Sequence, residues 1–256
     1  RWVASGWIPR LYRRGHGSAK MFRSGAQYGI AYFLTFLQNH ADTMIIGNRL
    51  GAGPLGYYSR AYQLLTAPAG RILSPLTQVV IPSLNRVREQ GRDCAPILLR
   101  IQFLVGTGMI WVFAVTAGAA ASLVPLVLGS GWEPSIPVFQ ILAAGGAVSA
   151  LSTVSYWGFI ANQQSGELLK YNLVTKPIAL ACIIAGSFFG LEGVAWGYVA
   201  GMAISWPISL LWLSKSAKLP ARSFLLNGTH LLIAGVAGFL TTWNLSYFVL
   251  PGAPAL

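Results

Sequence analysis

Residues 101–132 read IQFLVGTGMIWVFAVTAGAAASLVPLVLGSGW, and none of them is Asp, Glu, Lys or Arg. The hydrocarbon core of a bilayer is about 30 Å thick, which takes roughly 20 helical residues to cross. Outward from this stretch the pattern repeats. No charge falls between Glu133 and Glu167, between Glu192 and Lys215, or after Arg222. The chain is 54% hydrophobic and only 9% charged, with a mean hydropathy of +0.57. Membrane strands would require segments of about ten residues in strict alternation, and the sequence has none. The fold class expected is therefore all-α, a polytopic transmembrane bundle of about seven helices.

The spans are placed at 24–47, 55–84, 101–128, 136–161, 171–190, 194–214 and 224–250. Gly, Pro and polar clusters punctuate them, among them Gly51-Ala52-Gly53-Pro54, Gly129-Ser130-Gly131-Trp132 and Gly190-Leu191-Glu192-Gly193. The organisation expected is an interfacial linker at 1–23, a six-helix bundle at 24–214, and an additional helix with an outer tail at 215–256. The chain opens at Arg1 without the basic, apolar and small-residue order of a signal peptide, and is expected to begin inside a longer protein.

A net charge of +12 would point to nucleic acid in a soluble chain, but the distribution excludes that partner here. Segments 1–23, 86–100, 167–176 and 215–222 hold 15 of the 18 Lys and Arg, all on alternate sides of the spans. Basic loops stay cytoplasmic, so 1–23 is expected inside and the C-terminus outside. No catalytic residues are expected, because no phosphate-cradling glycine loop or paired acidic motif occurs. No metal site is expected either. Cys94 and Cys182 lie far apart, and His16, His40 and His230 form no ligand pair.

Three charges break the apolar text: Asp42, Arg60 and Arg71. An ionisable side chain at membrane depth costs roughly 2.5–3.5 kcal/mol on insertion scales and marks function by default. At helical spacing Arg60, Gln63, Ala67, Arg71, Ser74 and Gln78 share one face of the second span. From Arg60 to Gln78 that stripe runs about 27 Å, close to the hydrocarbon thickness. A polar ladder of this length fits a hydrated cavity better than a dry helix contact. Pro68, Pro75 and Pro82 recur every seventh residue along the same span, either as gating kinks or as static curvature.

In the first span Gln38, Asn39 and Asp42 form a polar patch. Asp42 has three open readings: a proton site, a cation site, or the counter-charge of Arg60 or Arg71. Two arginines against one carboxylate leave positive charge over, which suits an anionic substrate, and guanidinium matches phosphate oxygens well. The substrate-binding set expected is Asn39, Asp42, Arg60, Gln63, Arg71 and Gln78. A multidrug cation antiporter, a non-transporting membrane scaffold and a membrane glycosyltransferase are the competing readings.

The run Asn39-His40-Ala41-Asp42-Thr43-Met44-Ile45-Ile46-Gly47-Asn48-Arg49-Leu50-Gly51, continued by Leu55-Gly56-Tyr57-Tyr58-Ser59-Arg60-Ala61-Tyr62, resembles the bacterial oligosaccharide flippases. These belong to the multidrug/oligosaccharidyl-lipid/polysaccharide exporter superfamily. Pro75-Leu76 with Ile81-Pro82-Ser83-Leu84 is similar to the end of their eighth helix. Leu128-Gly129 with Gly131-Trp132, and Pro137 to Leu142, resemble the start of their tenth. Gly190-Leu191-Glu192-Gly193-Val194-Ala195 is similar to their turn between the eleventh and twelfth. The likeness covers about residues 7–214.

The resemblance implies the second bundle of a two-bundle exporter, with the first bundle as its missing partner. It implies export of an undecaprenyl-pyrophosphate-linked oligosaccharide repeat unit across the bacterial inner membrane by alternating access. Cationic cavity residues would meet the pyrophosphate, and the lipid tail would ride in a groove. Asp42 and Arg60 match recurrent family positions, whereas Arg71 and Gln78 rest on the helical stripe alone. No cofactor is implied, and coupling to proton, sodium or membrane potential is left open.

Overall fold

The computed structural model describes residues 40–217 and 219–249. The linker at 1–23, the first part of the first span and the tail after 249 lie outside the described residues. Of the two compact units of the chain, Arg1–His40 and Ala41–Leu256, the second carries nearly all of the described structure.

Helical residues 40–49 (α1) lead through Gly51, whose φ of 90° suits a residue without Cβ, into α2, Ala52–Glu89. Then follow α3 (Ala95–Gly118), α4 (Ala120–Leu128), α5 (Ser135–Ala161), α6 (Ser165–Gly186), a 3-10 turn at Ser187–Phe189, α7 (Gly190–Ala217) and α8 (Ala221–Val249). No strand occurs among the described residues, so the all-α bundle read from hydropathy is the fold of the chain. Five stretches are long and apolar enough to cross a membrane, and one of them, Gly166–Ala217, runs through both α6 and α7.

Helix α5 is the spine. Two thirds of its apolar window is buried (67%), against 11% for α2, so α5 is enclosed by its neighbours while α2 is a wall. Trp157, Phe139, Phe159, Leu142 and Leu151 of α5 are fully buried and form the centre of the core. Because lipid is as apolar as leucine, burial alone does not drive these helices together. Close approach and interhelical hydrogen bonds do. Trp157 Nε1 donates to Thr77 Oγ1 at 3.1 Å and Ser135 Oγ to the Tyr57 carbonyl at 3.2 Å, fixing α2 on α5 at two depths. Gln140 Nε2 donates to the Ala117 carbonyl at 3.2 Å and fixes α3.

Helices α6 and α7 form a hairpin whose backbones touch. A Cβ on Gly186 would overlap the Gly193 carbonyl, so only glycine fits there. Helix α8 lies on α3, where Gln102, fully buried, donates to the Phe224 carbonyl at 3.2 Å and accepts from Asn227 Nδ2 at 3.3 Å.

Two expectations are corrected. The single span 101–128 is two helices, because the chain leaves helical geometry at Ala119 (φ −90°, ψ 8°). Gly118 precedes that break and is pressed on α8, where a Cβ would lie 2.7 Å from Thr242 Cβ. A glycine inside a helix already weakens it, and here it adjoins the bend. The second concerns Lys176, counted above with the basic segment 167–176 although it also falls within the 171–190 span. Helix α6 starts at Ser165 and carries Lys176 as its twelfth residue, so Lys176 belongs to the helix and not to the loop before it. Thr175, polar in the sequence, stays inside the helix because its hydroxyl donates to the Tyr171 carbonyl at 2.9 Å.

Gly186→Val is expected to destabilise the α6–α7 hairpin by about 1–3 kcal/mol, the usual range for overpacking. Thermal unfolding of the full-length protein in detergent checks this, and an unchanged midpoint would contradict the close contact.

Candidate functional site

Every member of the α2 stripe is exposed: Arg60, Gln63, Ala67, Arg71, Ser74 and Gln78. The opposite face of the helix buries Tyr58, Ala61, Leu65 and Leu84 in the core. One face is therefore packed and the other open along its length. Arg60 Nη1 donates to Gln63 Oε1 at 3.1 Å, and its guanidinium carbon lies 5.9 Å from the centroid of the Trp132 ring. Trp132 in turn meets Tyr57 edge to face at 5.8 Å. A ring face is electron-rich and attracts a cation without neutralising it, so Arg60 is oriented yet still fully charged. Arg71 has no hydrogen bond or ion pair among the described residues.

The loop that presents Trp132 is itself tied. Glu133 Oε1 accepts the Gly131 N–H at 3.1 Å. Hydrogen bonds from its own backbone N–H and that of Gly131 hold the Glu133 carboxyl below the usual carboxylate range. That support is complete above the ordinary carboxylate range and is lost as pH falls through the depressed value.

Helix α2 runs unbroken through Pro68, Pro75 and Pro82, all on the exposed side. Proline has no N–H, so the carbonyls of Leu64, Arg71 and Gln78 receive no donor from four residues on. Two of those three carbonyls belong to stripe residues, which adds acceptors to the open face.

Asp42 sits elsewhere. It is buried (6% exposed), and Tyr58 donates its hydroxyl to Oδ2 at 2.9 Å. The Thr43 N–H donates to Oδ1 at 2.8 Å. Tyr58 stacks on Tyr62 with centroids 6.1 Å apart, and Tyr62 meets Tyr198 of α7 edge to face at 5.9 Å. Asp42 is thus held by a tyrosine cluster joining α1, α2 and α7, and neither Arg60 nor Arg71 forms an ion pair with it. Helical geometry explains this. Tyr58 and Arg60 are two residues apart and point to nearly opposite sides, so a carboxylate on the Tyr58 side is out of reach of Arg60. Asn39 lies outside the described residues.

The sequence reading missed the polar tie of α8 and named no residues for the groove that the resemblance implies. Gln102 and Asn227 form the polar tie of α8. A lone amide in the charge-free 101–132 stretch was the signal for it. An apolar groove of about 490 Å³ also opens between α3, α5, α7 and α8, lined by Phe113, Trp196, Leu232 and Phe239. Its polar lining residue, Gln140, is already engaged with Ala117.

Comparison with known proteins bears on this arrangement. A family model described as polysaccharide biosynthesis protein matches residues 1–137, which includes α1, all of the α2 stripe and the Trp132 loop. The chain belongs to the polysaccharide biosynthesis protein family. It is 24% identical over 212 residues to the lipopolysaccharide biosynthesis protein WzxC of Escherichia coli (strain K12), covering 80% of this chain and 43% of that protein. It is 25% identical over 228 residues to the teichuronic acid biosynthesis protein TuaB of Bacillus subtilis (strain 168), covering 83% and 44%. The amylovoran biosynthesis protein AmsL of Erwinia amylovora is 27% identical over 164 residues, covering 55% and 41%. The chain spans less than half the length of these relatives. No solved structure matches it significantly. As a member of the polysaccharide biosynthesis family it is a multi-pass membrane protein, with an open polar face on α2 and a buried carboxylate cluster beside it.

Removing the Tyr58 hydroxyl deprives a buried carboxylate of a donor, which costs about 1–3 kcal/mol. Tyr58→Phe and Asp42→Asn are each expected to lower the thermal midpoint of the full-length protein. Groups in direct contact are not independent, so the double variant should fall by less than the sum. Strictly additive drops would contradict the pairing.

Proposed function

We propose that the chain is the C-terminal bundle of a flippase that moves an undecaprenyl-pyrophosphate-linked oligosaccharide repeat unit across the bacterial inner membrane by alternating access. The observation that carries this reading is the exposed α2 face, as long as the hydrocarbon core and bearing two arginines that no carboxylate neutralises. Guanidinium groups cannot face lipid at that depth without a large penalty, so the face borders protein or water in the intact molecule. The first bundle of the same protein supplies the opposite wall. A cavity with positive charge to spare attracts a pyrophosphate headgroup, and the forked donors of arginine suit its oxygens.

The relatives support the class of substrate. Their names place them in the biosynthesis of lipopolysaccharide, teichuronic acid and amylovoran, three different polymers. The groove between α3, α5, α7 and α8 is apolar enough to take the lipid tail while the headgroup lies against α2. The basic loops put residues 1–23 in the cytoplasm and the C-terminus outside. A multidrug cation antiporter is the weaker reading. Its substrate would want a free carboxylate, and both oxygens of Asp42 already accept hydrogen bonds.

Hydrogen bonds to charged groups contribute about 1.5–3 kcal/mol, which converts to roughly 10–100-fold. Arg60→Ala and Arg71→Ala in the full-length protein are each expected to reduce polymer export by that factor in a complementation assay. Normal export by both variants, at normal expression, would contradict the anion site.

A further inference from the structure

Two aromatic rings stand beside Arg60 at the start of the α2 stripe. Tyr57 precedes it by one helical turn, and the loop between α4 and α5 brings Trp132 next to it. Both rings are half-buried. Trp132 packs partly on the core and meets Tyr57 edge to face, with the ring planes 86° apart, so the plane of the indole is fixed. Arg60 flanks that ring without closing on it. Where Arg49 stacks on Phe188 the guanidinium carbon lies 4.1 Å from the ring centroid, but Arg60 stands off from Trp132 at 5.9 Å. Carbon atoms in contact sit about 3.5–4.0 Å apart.

The polar ends of both rings are unused. Neither the Trp132 indole N–H nor the Tyr57 hydroxyl makes a hydrogen bond among the described residues, and neither is among the buried polar atoms left without a partner, so both reach the surface. The Gln63 side chain accepts from Arg60 through Oε1, and its amide N–H groups make no hydrogen bond among the described residues. Space beside the loop is open, because a Cβ at Gly129 or Gly131 would meet no atom within 4 Å. Next in the chain to Trp132, the Glu133 side chain is exposed and forms no ion pair. An ionised carboxylate only accepts hydrogen bonds, so it attracts hydroxyl groups and repels a phosphate.

A fixed aromatic plate, free donors and a free carboxylate suit a group that is apolar on its faces and hydroxylated round its rim. A sugar ring has that character: its C–H faces rest on aromatic rings, and its hydroxyls pair with polar side chains. We propose that Trp132 is a stacking plate for a sugar ring of the lipid-linked oligosaccharide, with Tyr57, Gln63 and Glu133 meeting its hydroxyls. This rests on the flippase reading above. With the phosphate on Arg60, the ring that falls on Trp132 is the one bonded to the pyrophosphate. A tryptophan that merely anchors a protein in lipid would stand clear of an exposed guanidinium. Trp132 instead shares the border of Arg60, which cannot be lipid.

The test uses the full-length protein in lipid nanodiscs, with bare polyprenyl pyrophosphate and the same lipid carrying one glucose or one galactose. The readout is the ratio of sugar-bearing to bare affinity, in which any displacement of Arg60 cancels. Wild type is expected to bind at least one sugar-bearing lipid about tenfold more tightly than the bare one, the order of a single aromatic contact. Trp132→Leu should bring the ratio to about one. Trp132→Phe keeps a ring and Tyr57→Phe removes one hydroxyl, so each should lower the ratio by only about threefold. Should the leucine variant fail to fold, Tyr57→Phe carries the test. A wild-type ratio near one for both sugars would overturn the proposal. So would variants that keep the wild-type ratio, including a Trp132→Leu that lowers both affinities together, which would make Trp132 structural. In either case a wild type that prefers the pyrophosphate to neutral polyprenol, and loses that preference in Arg60→Ala, leaves the flippase reading standing. A wild type without that preference would overturn both.

Discussion

Two arginines on the exposed face of a helix long and apolar enough to cross a membrane, with no carboxylate paired to either, are the constraint on which the proposed role depends. Lipid offers such groups neither hydrogen bonds nor dielectric, so their face of α2 has to border something else. In this chain that face is left exposed. Tyr58, Ala61 and Leu65 pack inward, and the polar residues two or three positions away are turned outward. The Asp42 carboxylate, which would have quenched the charge, is drawn to the other side by the Tyr58 hydroxyl. Buried and hydrogen-bonded, it joins three helices instead of neutralising an arginine.

Holding α2 as an open wall requires a rigid support, because a helix with only 11% of its apolar window buried cannot be positioned by packing alone. Helix α5 supplies it through the Trp157–Thr77 and Ser135–Tyr57 hydrogen bonds, one towards each end of the contact. Helix α7 is held to α5 by close approach at Gly145, where a Cβ would collide with the Tyr198 ring. Tyr198 then reaches Tyr62, so the spine, the hairpin and the carboxylate cluster are mechanically continuous. A movement of α2 would be felt at Asp42 through these rings.

What was legible in the sequence was what depends on a single helix. The α2 stripe could be drawn from periodicity alone because all six residues sit on one element, and the structure leaves all six exposed. What depends on two helices was not legible. Nothing in the spacing of Asp42 and Tyr58, 16 residues apart, says that they meet, and of the three open readings of Asp42 the arginine counter-charge finds no ion pair in the structure. Lys176 was counted with a basic segment although the 171–190 span already placed it in a helix, and α6, which starts at Ser165, carries it as its twelfth residue. The break at Ala119 escaped notice since Gly118 reads as one more small residue until α8 is laid across it.

The central claim is that the polar face of α2 borders water at membrane depth in the intact protein. Single cysteines placed along residues 60–78 of a cysteine-free, full-length protein, and labelled with a membrane-impermeant thiol reagent, test it most directly. Strong labelling at positions 63, 67, 71, 74 and 78, with positions 61 and 65 silent, is the predicted pattern. Uniformly silent positions from 67 to 74, with the ends alone reactive, would mean that the stripe is packed dry and would contradict the account.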